Sequence, residues 1–226
     1  MIKGAIFDMD GVIVDNISHH LRAWKQLGRE LGRDFKDADV KRVFGKRNRE
    51  ILMSLMGNEL SDDELAACGK RKEELYRAIM APELRPVKGL PGFLAALRNS
   101  GVKTAIATSG PIDNVRFVLD GLDLQDAFDS IITGSEVRES KPHPAIFLLA
   151  AERLQLSPED CVVFEDSPPG IQAAKAAGTA CVGLATTHSP GELVQYKPDR
   201  IIRDFTDITV EDLIFGDRDS PAQESP

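Results

Sequence analysis

The sequence predicts an α/β fold in which a doubly wound, mainly parallel sheet carries an inserted all-α domain. Two observations lead to this prediction. Short apolar runs that end in polar or glycine residues alternate with amphipathic helical patterns over most of the chain, as strands buried in a parallel sheet require. Residues 15–85 differ, because their apolar residues recur at helical spacing. We therefore expect an α/β core interrupted by a helical cap.

The strand and helix predictions follow one another along the chain. Buried strands are expected at residues 2–8, 102–107, 160–164 and 180–184. Amphipathic helices are expected at residues 90–100, 112–120, 144–155 and 168–177. The last of these helices has well-marked ends, because Ser167 can cap its start and Gly178 follows its last residue.

The helical segment is predicted to join the core at two crossings. The crossings are expected near residue 15 and at residues 82–88. Leu21, Trp24 and Leu27 illustrate the helical spacing, a turn-rich segment at 82–86 ends the insertion, and residues 89–92 lead back into the α/β pattern. The predicted domains are a core of residues 1–14 and 86–216, a cap of residues 15–85, and a disordered tail of residues 217–226.

Composition narrows the class of function. The chain has 226 residues, of which 42% are hydrophobic and 28% charged, as in a folded globular protein. A formal net charge of -8 repels nucleic-acid phosphates and anionic lipids, so we expect no nucleic-acid and no membrane partner. The three cysteines lack CxxC spacing, and no apolar run approaches the ~18 residues of a membrane span. We expect a cytoplasmic enzyme that acts as a monomer, with a dimer as the alternative.

Acidic residues follow two of the predicted strands. Asp8 and Asp10 are two positions apart and share a face of extended chain, and Gly11 lets the chain turn away. Glu165 and Asp166 follow a second strand. If these strand ends meet, four carboxylates converge and require a cation, for which hard oxygen ligands favour Mg²⁺. The alternatives are a solvated surface turn for the first pair and a helix-start charge pair for the second.

Two further strand-end features suit phosphate binding. Thr108, Ser109 and Gly110 offer hydroxyls and turn amides ahead of a helix. Lys141 lies in a segment stiffened by prolines, where its ammonium could neutralise both phosphate and carboxylate. Taken singly, these features also fit a capped loop and a solvent-facing lysine.

Together these groups resemble the four motifs of the haloacid dehalogenase (HAD) superfamily, in order and in spacing. The matching motifs are Asp8-x-Asp10-Gly11, Thr108, Lys141-Pro142 and Glu165-Asp166-Ser167. The resemblance runs from about residue 2 to about residue 215, and the helical insertion is similar to the C1 type of cap. Within the superfamily the cap resembles that of the β-phosphoglucomutases and related sugar-phosphate phosphatases, at residues 20–24 and 70–76.

The resemblance implies a role in phosphoryl transfer for each matched residue. Asp8 would be the nucleophile that forms an aspartyl-phosphate, and Asp10 the general acid and base. Asp8, Asp10 through its backbone carbonyl, and Asp166 would hold Mg²⁺, with Glu165 bound either directly or through water. The residues implied to hold phosphate oxygens, by side chain or backbone, are Met9, Gly11, Thr108, Ser109, Gly110 and Lys141.

The resemblance also implies substrate contacts from the cap. The candidates are His20, Trp24, Gly45, Arg47, Asn48, Arg49 and Lys72. In the mutases a cap arginine and lysine hold a second phosphate, and Lys72 matches the lysine. The arginine position is open, because counting back from Glu50 selects Arg49 whereas aligning on Gly45 selects Asn48. Simpler alternatives are a packed His20, a solvated Lys72 and a solvated cationic run at 41–49.

The sequence therefore predicts a Mg²⁺-dependent phosphatase of a small phosphorylated metabolite, with a sugar phosphate as the expected substrate. A β-phosphoglucomutase is the alternative, and a non-catalytic metabolite-binding protein is a remote one. The resemblance implies phosphate-ester chemistry and not dehalogenation, because Asp10 is present.

Overall fold

A computed structural model of the chain describes residues 1–43 and 45–214. The strands are β1 (Gly4–Phe7), β2 (Lys103–Thr108), β3 (Ser130–Thr133), β4 (Cys161–Glu165), β5 (Ala180–Leu184) and β6 (Arg200–Ile202). They form one sheet in the order β3-β2-β1-β4-β5-β6, with every neighbouring pair parallel. The predicted doubly wound α/β fold is confirmed. The predicted tail at 217–226 lies outside the described residues.

Helices pack on both faces of the sheet and form the insertion after β1. They are α1 (Ile17–Glu30), α2 (Asp37–Val43), α3 (Asn48–Met56), α4 (Asp62–Met80), α5 (Leu90–Asn99), α6 (Ile112–Leu122), α7 (Ala145–Arg153), α8 (Pro168–Ala177), α9 (Pro190–Leu193) and α10 (Val210–Ile214). The expected capping of α8 is present, because the Ser167 hydroxyl accepts a hydrogen bond from the Gly170 N–H at 3.3 Å.

Alternation along the buried strands produces two apolar clusters, one on each face of the sheet. Phe7 of β1 and Phe164 of β4 belong to the first cluster, which α5, α6 and the inserted helices extend. Ile6 and Val163 belong to the second cluster, which α7 and α8 cover. Because both faces are buried, the strands β1, β4 and β5 are apolar nearly throughout, as expected from their sequences.

The inserted helices α1–α4 form the predicted all-α cap. The main contact within it is between α1 and α4, where Trp24 and Tyr76 are fully buried. The chain enters and leaves this insertion at one place, since the Val87 N–H donates to the Ile13 carbonyl at 2.9 Å and Val14 bridges to Pro86. The domain boundaries at residues 15 and 85 stay a prediction.

The sheet has its topological switch point between β1 and β4. The chain proceeds outward from β1 through β2 to β3 and then returns to β4 on the other side of β1. In open α/β sheets the crevice at such a point, beyond the carboxyl ends of the strands, is where ligands bind. The Asp8 N–H donates to the Phe164 carbonyl at 3.0 Å, so the pairing of β1 and β4 continues into this crevice.

Two further observations bear on the predictions from composition. Within the described residues, no helix is long and apolar enough to cross a membrane. The three cysteines form no disulfide; Cys161 and Cys181 are buried, while Cys68 is half-buried.

Candidate active site

Asp8, Glu165, Asp166 and Lys141 form a buried group at the switch point, here called the strand-end cluster. Asp8 directly follows β1, Glu165 is the last residue of β4, and Asp166 follows it. One oxygen from each of the three carboxylates lies within 4.8 Å of the others. Asp8 is 7% exposed and the other two carboxylates are at most 1% exposed, so three of the four carboxylates that were predicted to converge lie together and are shielded from water, while that of Asp10 does not join them.

Lys141 provides the positive charge of the strand-end cluster. Its Nζ donates to Asp8 Oδ1 at 2.8 Å and to Glu165 Oε1 at 2.6 Å, and its side chain is buried. Burial alone would lower the pKa of this ammonium, but the charges of Asp8 and Glu165 raise it above its ordinary value. Lys141 is therefore a charged member of the site, and the alternative of a solvent-facing lysine is wrong.

Asp8 and Asp166 hold protons more tightly than ordinary carboxyls. Burial raises the pKa of Asp8 to about 7, with Lys141 opposing this shift and the charge of Glu165 adding to it. Burial and the charges of Glu165 and Asp8 likewise raise the pKa of Asp166 well above its usual value. The single positive charge of Lys141 does not balance the charges of three buried carboxylates. A bound divalent cation would balance them.

The donor set fits a hard divalent cation. Asp166 Oδ2 is buried and has no hydrogen-bond partner among the described residues. Both Glu165 oxygens are engaged, because Lys141 donates to Oε1 and the Ser167 N–H and hydroxyl each donate to Oε2 at 2.9 Å. Asp8 and Asp166 are thus the better direct ligands, and three carboxylates without imidazole or thiolate are typical of Mg²⁺ sites.

The Asp10 carboxylate points away from this cluster and toward the cap. Its Oδ1 accepts a hydrogen bond from Asn16 Nδ2 at 2.7 Å and lies 3.2 Å from His20 Nε2. Burial alone would raise the pKa of Asp10, but His20, the Asn16 hydrogen bond and the charge of Lys72 outweigh it and lower the pKa. The backbone carbonyl of Asp10 therefore remains the candidate metal ligand of this residue. Its carboxylate lies where it can take part in proton transfer.

His20 connects Asp10 to a cationic residue of the cap. Lys72 Nζ lies 2.6 Å from His20 Nδ1, and an ammonium can only donate, so Nδ1 accepts and Nε2 carries the hydrogen that faces Asp10. The imidazole is 2% exposed and stacks on Tyr76 with ring centroids 3.9 Å apart. His20 is therefore both packed and part of the site.

The loop residues predicted to hold phosphate lie beside Asp8. Thr108 ends β2, and its buried hydroxyl accepts the Gly110 N–H at 3.0 Å. Ser109 donates to the Gly45 carbonyl of the cap at 2.8 Å. Gly11 has φ of 77°, and a Cβ added there would lie 2.0 Å from Asp166 Oδ2, so this turn requires glycine. Met9 is buried next to these residues.

A small cavity separates the strand-end cluster from the cap. Among the predicted cap residues, those lining it are His20, Trp24, Gly45, Asn48 and Lys72. Arg49 instead donates to Asp62 Oδ1 at 2.7 Å on the exposed surface. Arg47 donates to the backbone carbonyls of Val137 at 2.7 Å and Arg138 at 3.2 Å. The structure thus brings Asn48 to the cavity and does not bring Arg47 and Arg49 there, because the start of α3 turns both guanidinium groups toward other partners.

Known proteins resemble this chain in sequence and in fold. A family model described as haloacid dehalogenase-like hydrolase matches residues 2–178. The chain belongs to the haloacid dehalogenase-like hydrolases. It is 35% identical to a phosphorylated carbohydrates phosphatase of Thermotoga maritima, across 78% of this chain and 82% of that one.

Phosphomutases are also among the relatives of this haloacid dehalogenase-like hydrolase. A β-phosphoglucomutase of Bacillus subtilis is 31% identical across 93% of both chains. The crystal structure of a β-phosphoglucomutase from Clostridium difficile superposes with a TM-score of 0.85, at 26% identity, over 94% of this chain and 96% of that one. The hydrolase is therefore an enzyme of the phosphohydrolase and phosphotransferase type.

Three buried polar residues that organise the site of this hydrolase were not predicted from the sequence. Asn16 donates to Asp10 and to the Tyr76 hydroxyl, both at 2.7 Å. Glu73 accepts from Asn114 of α6 at 2.7 Å and thereby joins the cap to the core. A signal for Glu73 was present, because a carboxylate stands on the buried side of α4 among Gly69, Lys72, Tyr76 and Met80. Asn16 and Asn114 carry no comparable signal in the sequence.

Proposed function

We propose that the chain is a Mg²⁺-dependent phosphatase that releases phosphate from a small monoester, with a sugar phosphate as substrate, through a phosphoryl group on Asp8. The observation that carries this proposal is the placement of two carboxylates with opposite surroundings. Asp8 is held by Lys141 at the base of the cavity, and Asp10 is held by Asn16 and His20 on its cap side. The cytoplasmic location and the monomeric state stay predictions.

The two carboxylates suit the two halves of a phosphoryl transfer. An Asp8 oxygen attacks phosphorus, the bond from phosphorus to the ester oxygen breaks, and that oxygen takes a proton from Asp10. Water then attacks phosphorus, Asp10 takes back a proton, and the bond between Asp8 and phosphorus breaks to release phosphate. The low pKa of Asp10 in the described arrangement favours the carboxylate form, which is the form that the second half requires.

Residues around Asp8 would position and neutralise the transferring group. Lys141 and the Thr108 hydroxyl lie where they can hold phosphate oxygens, and the Gly11 turn lets the backbone approach closely. Mg²⁺, when bound by Asp8, Asp166 and the Asp10 carbonyl, would supply charge neutralisation for the incoming phosphate. Glu165 would hold Lys141 in place and reach the cation through water.

Substrate access requires that the cap move. The four members of the strand-end cluster are at most 7% exposed in the described arrangement. Contacts between cap and core maintain this closure, including Ser109 with Gly45 and Glu73 with Asn114. We infer that these bonds break to admit an ester and re-form before transfer, which limits the water that reaches Asp8.

The proposal is tested with purified protein, Mg²⁺ and a panel of metabolite phosphate esters. We expect at least one sugar phosphate to release inorganic phosphate, and we expect Asp8→Asn to reduce kcat by at least about 10³-fold, because the nucleophile is removed. Asp120→Asn is the matched control, since this aspartate is exposed on α6. Equal phosphate release by Asp8→Asn and wild type would exclude an Asp8 mechanism.

A β-phosphoglucomutase activity is the second candidate. The burial of Asp8 favours it, because a mutase must keep water from the phosphorylated aspartate, and one relative carries that name. The test is incubation with β-glucose 1-phosphate and catalytic glucose 1,6-bisphosphate. Formation of glucose 6-phosphate without free phosphate would favour the mutase, whereas release of phosphate would favour the phosphatase.

A further inference from the structure

His20, Asn48, Lys72 and Glu73 form a hydrogen-bonded group that lines the cavity opposite the strand-end cluster, here called the cap network. Lys72 Nζ donates to Glu73 Oε1 at 2.9 Å, and Asn48 Nδ2 donates to the same oxygen at 2.6 Å. Lys72 and Glu73 are 3% and 5% exposed. The cation of the cap is thus already paired with an anion inside the cavity wall.

The negative charge of Glu73 is fixed by its surroundings. The carboxylate accepts hydrogen bonds from Lys72, Asn48 and Asn114, and each of these groups is a donor. Burial alone would raise the pKa of Glu73, but the charge of Lys72 and the amide hydrogen bonds outweigh it and lower the pKa. Glu73 therefore contributes a full negative charge at neutral pH.

This pairing changes what the cap can bind. A phosphate on the far end of a substrate needs uncompensated cations or several free donors. Lys72 is neutralised by Glu73, and Asn48 carries no charge. Lys46 also lines the cavity, but its side chain is exposed and water and salt screen its charge. A dianion placed against Glu73 would meet a buried like charge, where the effective dielectric constant is low.

We propose that Glu73 is a specificity-determining residue that restricts this enzyme to monophosphates whose far end is neutral and rich in hydroxyl groups. Hydroxyls can donate to the remaining lone pair of the Glu73 carboxylate and accept from Lys72, whereas a second phosphate is repelled. The inference rests on the proposed phosphatase function and names its substrate class. It also predicts weak binding of the bisphosphate that a phosphoglucomutase needs.

The test compares matched ester pairs, glucose 6-phosphate with glucose 1,6-bisphosphate and fructose 1-phosphate with fructose 1,6-bisphosphate. We expect wild-type kcat/KM to favour a monophosphate at least about tenfold over its bisphosphate. Glu73→Gln should shift this ratio about tenfold toward the bisphosphate, because it removes the repelling charge and keeps the shape. Glu73→Asp keeps the charge and should retain the preference.

Two controls separate selectivity from folding. Glu74→Gln makes the same chemical change one position along α4, where the side chain is exposed, and should leave the ratio unchanged. Asn48→Arg adds a cation next to Glu73 without removing a buried group, and should move the ratio in the same direction as Glu73→Gln. If Glu73→Gln melts far below wild type, Asn48→Arg carries the test.

A binding measurement keeps this inference distinct from the proposed function. Asp8→Asn protein, with and without Glu73→Gln, is titrated with each ester by calorimetry, so discrimination is measured without turnover. If the wild-type protein hydrolyses no ester but the Asp8→Asn protein binds monophosphates selectively, the phosphatase proposal is contradicted and the Glu73 assignment is supported. A wild-type preference for bisphosphates, a ratio that Glu73→Gln leaves unchanged, or no binding of either ester would overturn the Glu73 assignment.

Discussion

The strand-end cluster and the cap network face each other across one cavity, and they are positioned by different kinds of contact. Asp8 and Glu165 stand at the ends of β1 and β4, where the backbone ladder of a parallel sheet fixes their separation whatever the neighbouring side chains are. Lys72 and Glu73 are positioned by bonds between side chains, which a single substitution can remove. Under the proposed function, the sheet therefore positions the residues that carry out the reaction, and the cap positions the residues that select the substrate.

Asp10 offers the sharpest test of this division, because it follows β1 but is held by cap residues. Asp10→Asn removes the proton-transfer group and keeps the shape, so we expect kcat for phosphate release to fall about 10²–10⁴-fold. Steady-state kinetics measure it, with Asp120→Asn as control. An unchanged kcat would assign the proton transfers to another group.

Loss of the lysine should reveal how strained the strand-end cluster is without a cation. In metal-free protein, Lys141→Met leaves Asp8 and Glu165 buried without their partner, and we expect unfolding free energy to fall by about 3–5 kcal/mol. Urea denaturation measures this change. Lys175→Met removes an exposed pair with Asp199 and should cost at most about 1 kcal/mol. Equal losses in the two variants would contradict the electrostatic role of Lys141.

The raised pKa of Asp8 makes metal binding depend on pH. A cation must displace the proton that Asp8 holds below a pKa of about 7, and Asp166, whose pKa is also raised, holds a second proton more tightly than usual, so affinity for Mg²⁺ rises with pH. For the Asp8 proton alone we expect an approximately tenfold weaker affinity at pH 6 than at pH 8, and release of the Asp166 proton would add to this difference. Calorimetry in two buffers of different ionisation enthalpy measures both affinity and proton release. Binding at pH 6 without proton release would contradict the shift.

The smallest expected effect concerns the closure of the cap. Arg47 joins the cap to the carbonyls after β3, so Arg47→Gln should raise KM about threefold, as loss of a hydrogen-bonded contact predicts. Arg49→Gln removes an exposed pair with Asp62 and should change KM less. A larger change in KM for Arg49→Gln than for Arg47→Gln would indicate that Arg49 contacts the substrate, which would contradict the assignment made from the structure.

Most of the sheet could be predicted from the sequence, because its central strands are apolar on both faces. The strands β3 and β6 were not predicted. In β3 two isoleucines stand between Ser130 and Thr133, and β6 has three residues beginning with Arg200. Edge strands like these are short and partly polar, since one side of each faces no further strand. Their pairing depends on the completed sheet and not on a local pattern.

The site divides along the same line. Asp8, Asp10, Glu165 and Asp166 could be identified because each follows a recognisable strand, and the topology then brings three of their carboxylates together. The cap contacts depend on pairs far apart in the sequence, such as Glu73 with Asn114. Whether Asn48 or Arg49 faces the cavity depends on where α3 starts, and a shift of one residue rotates a helix by about 100°. The spacing of the apolar residues in the sequence is the same for either start of α3, so it does not decide which residue faces the cavity.

The close pairing of the chain before and after the cap has a consequence for how such enzymes can diversify. The Val87 N–H donates to the Ile13 carbonyl, and Val14 forms a β-bridge with Pro86. The two chain segments that join the insertion to the core are therefore paired in one place beside the switch point, here called the stem. A different set of helices transplanted onto that stem would leave every strand in register and every strand-end carboxylate in place. Replacement of the cap at the stem could therefore change the substrate preference of such an enzyme while the residues at the strand ends keep their positions.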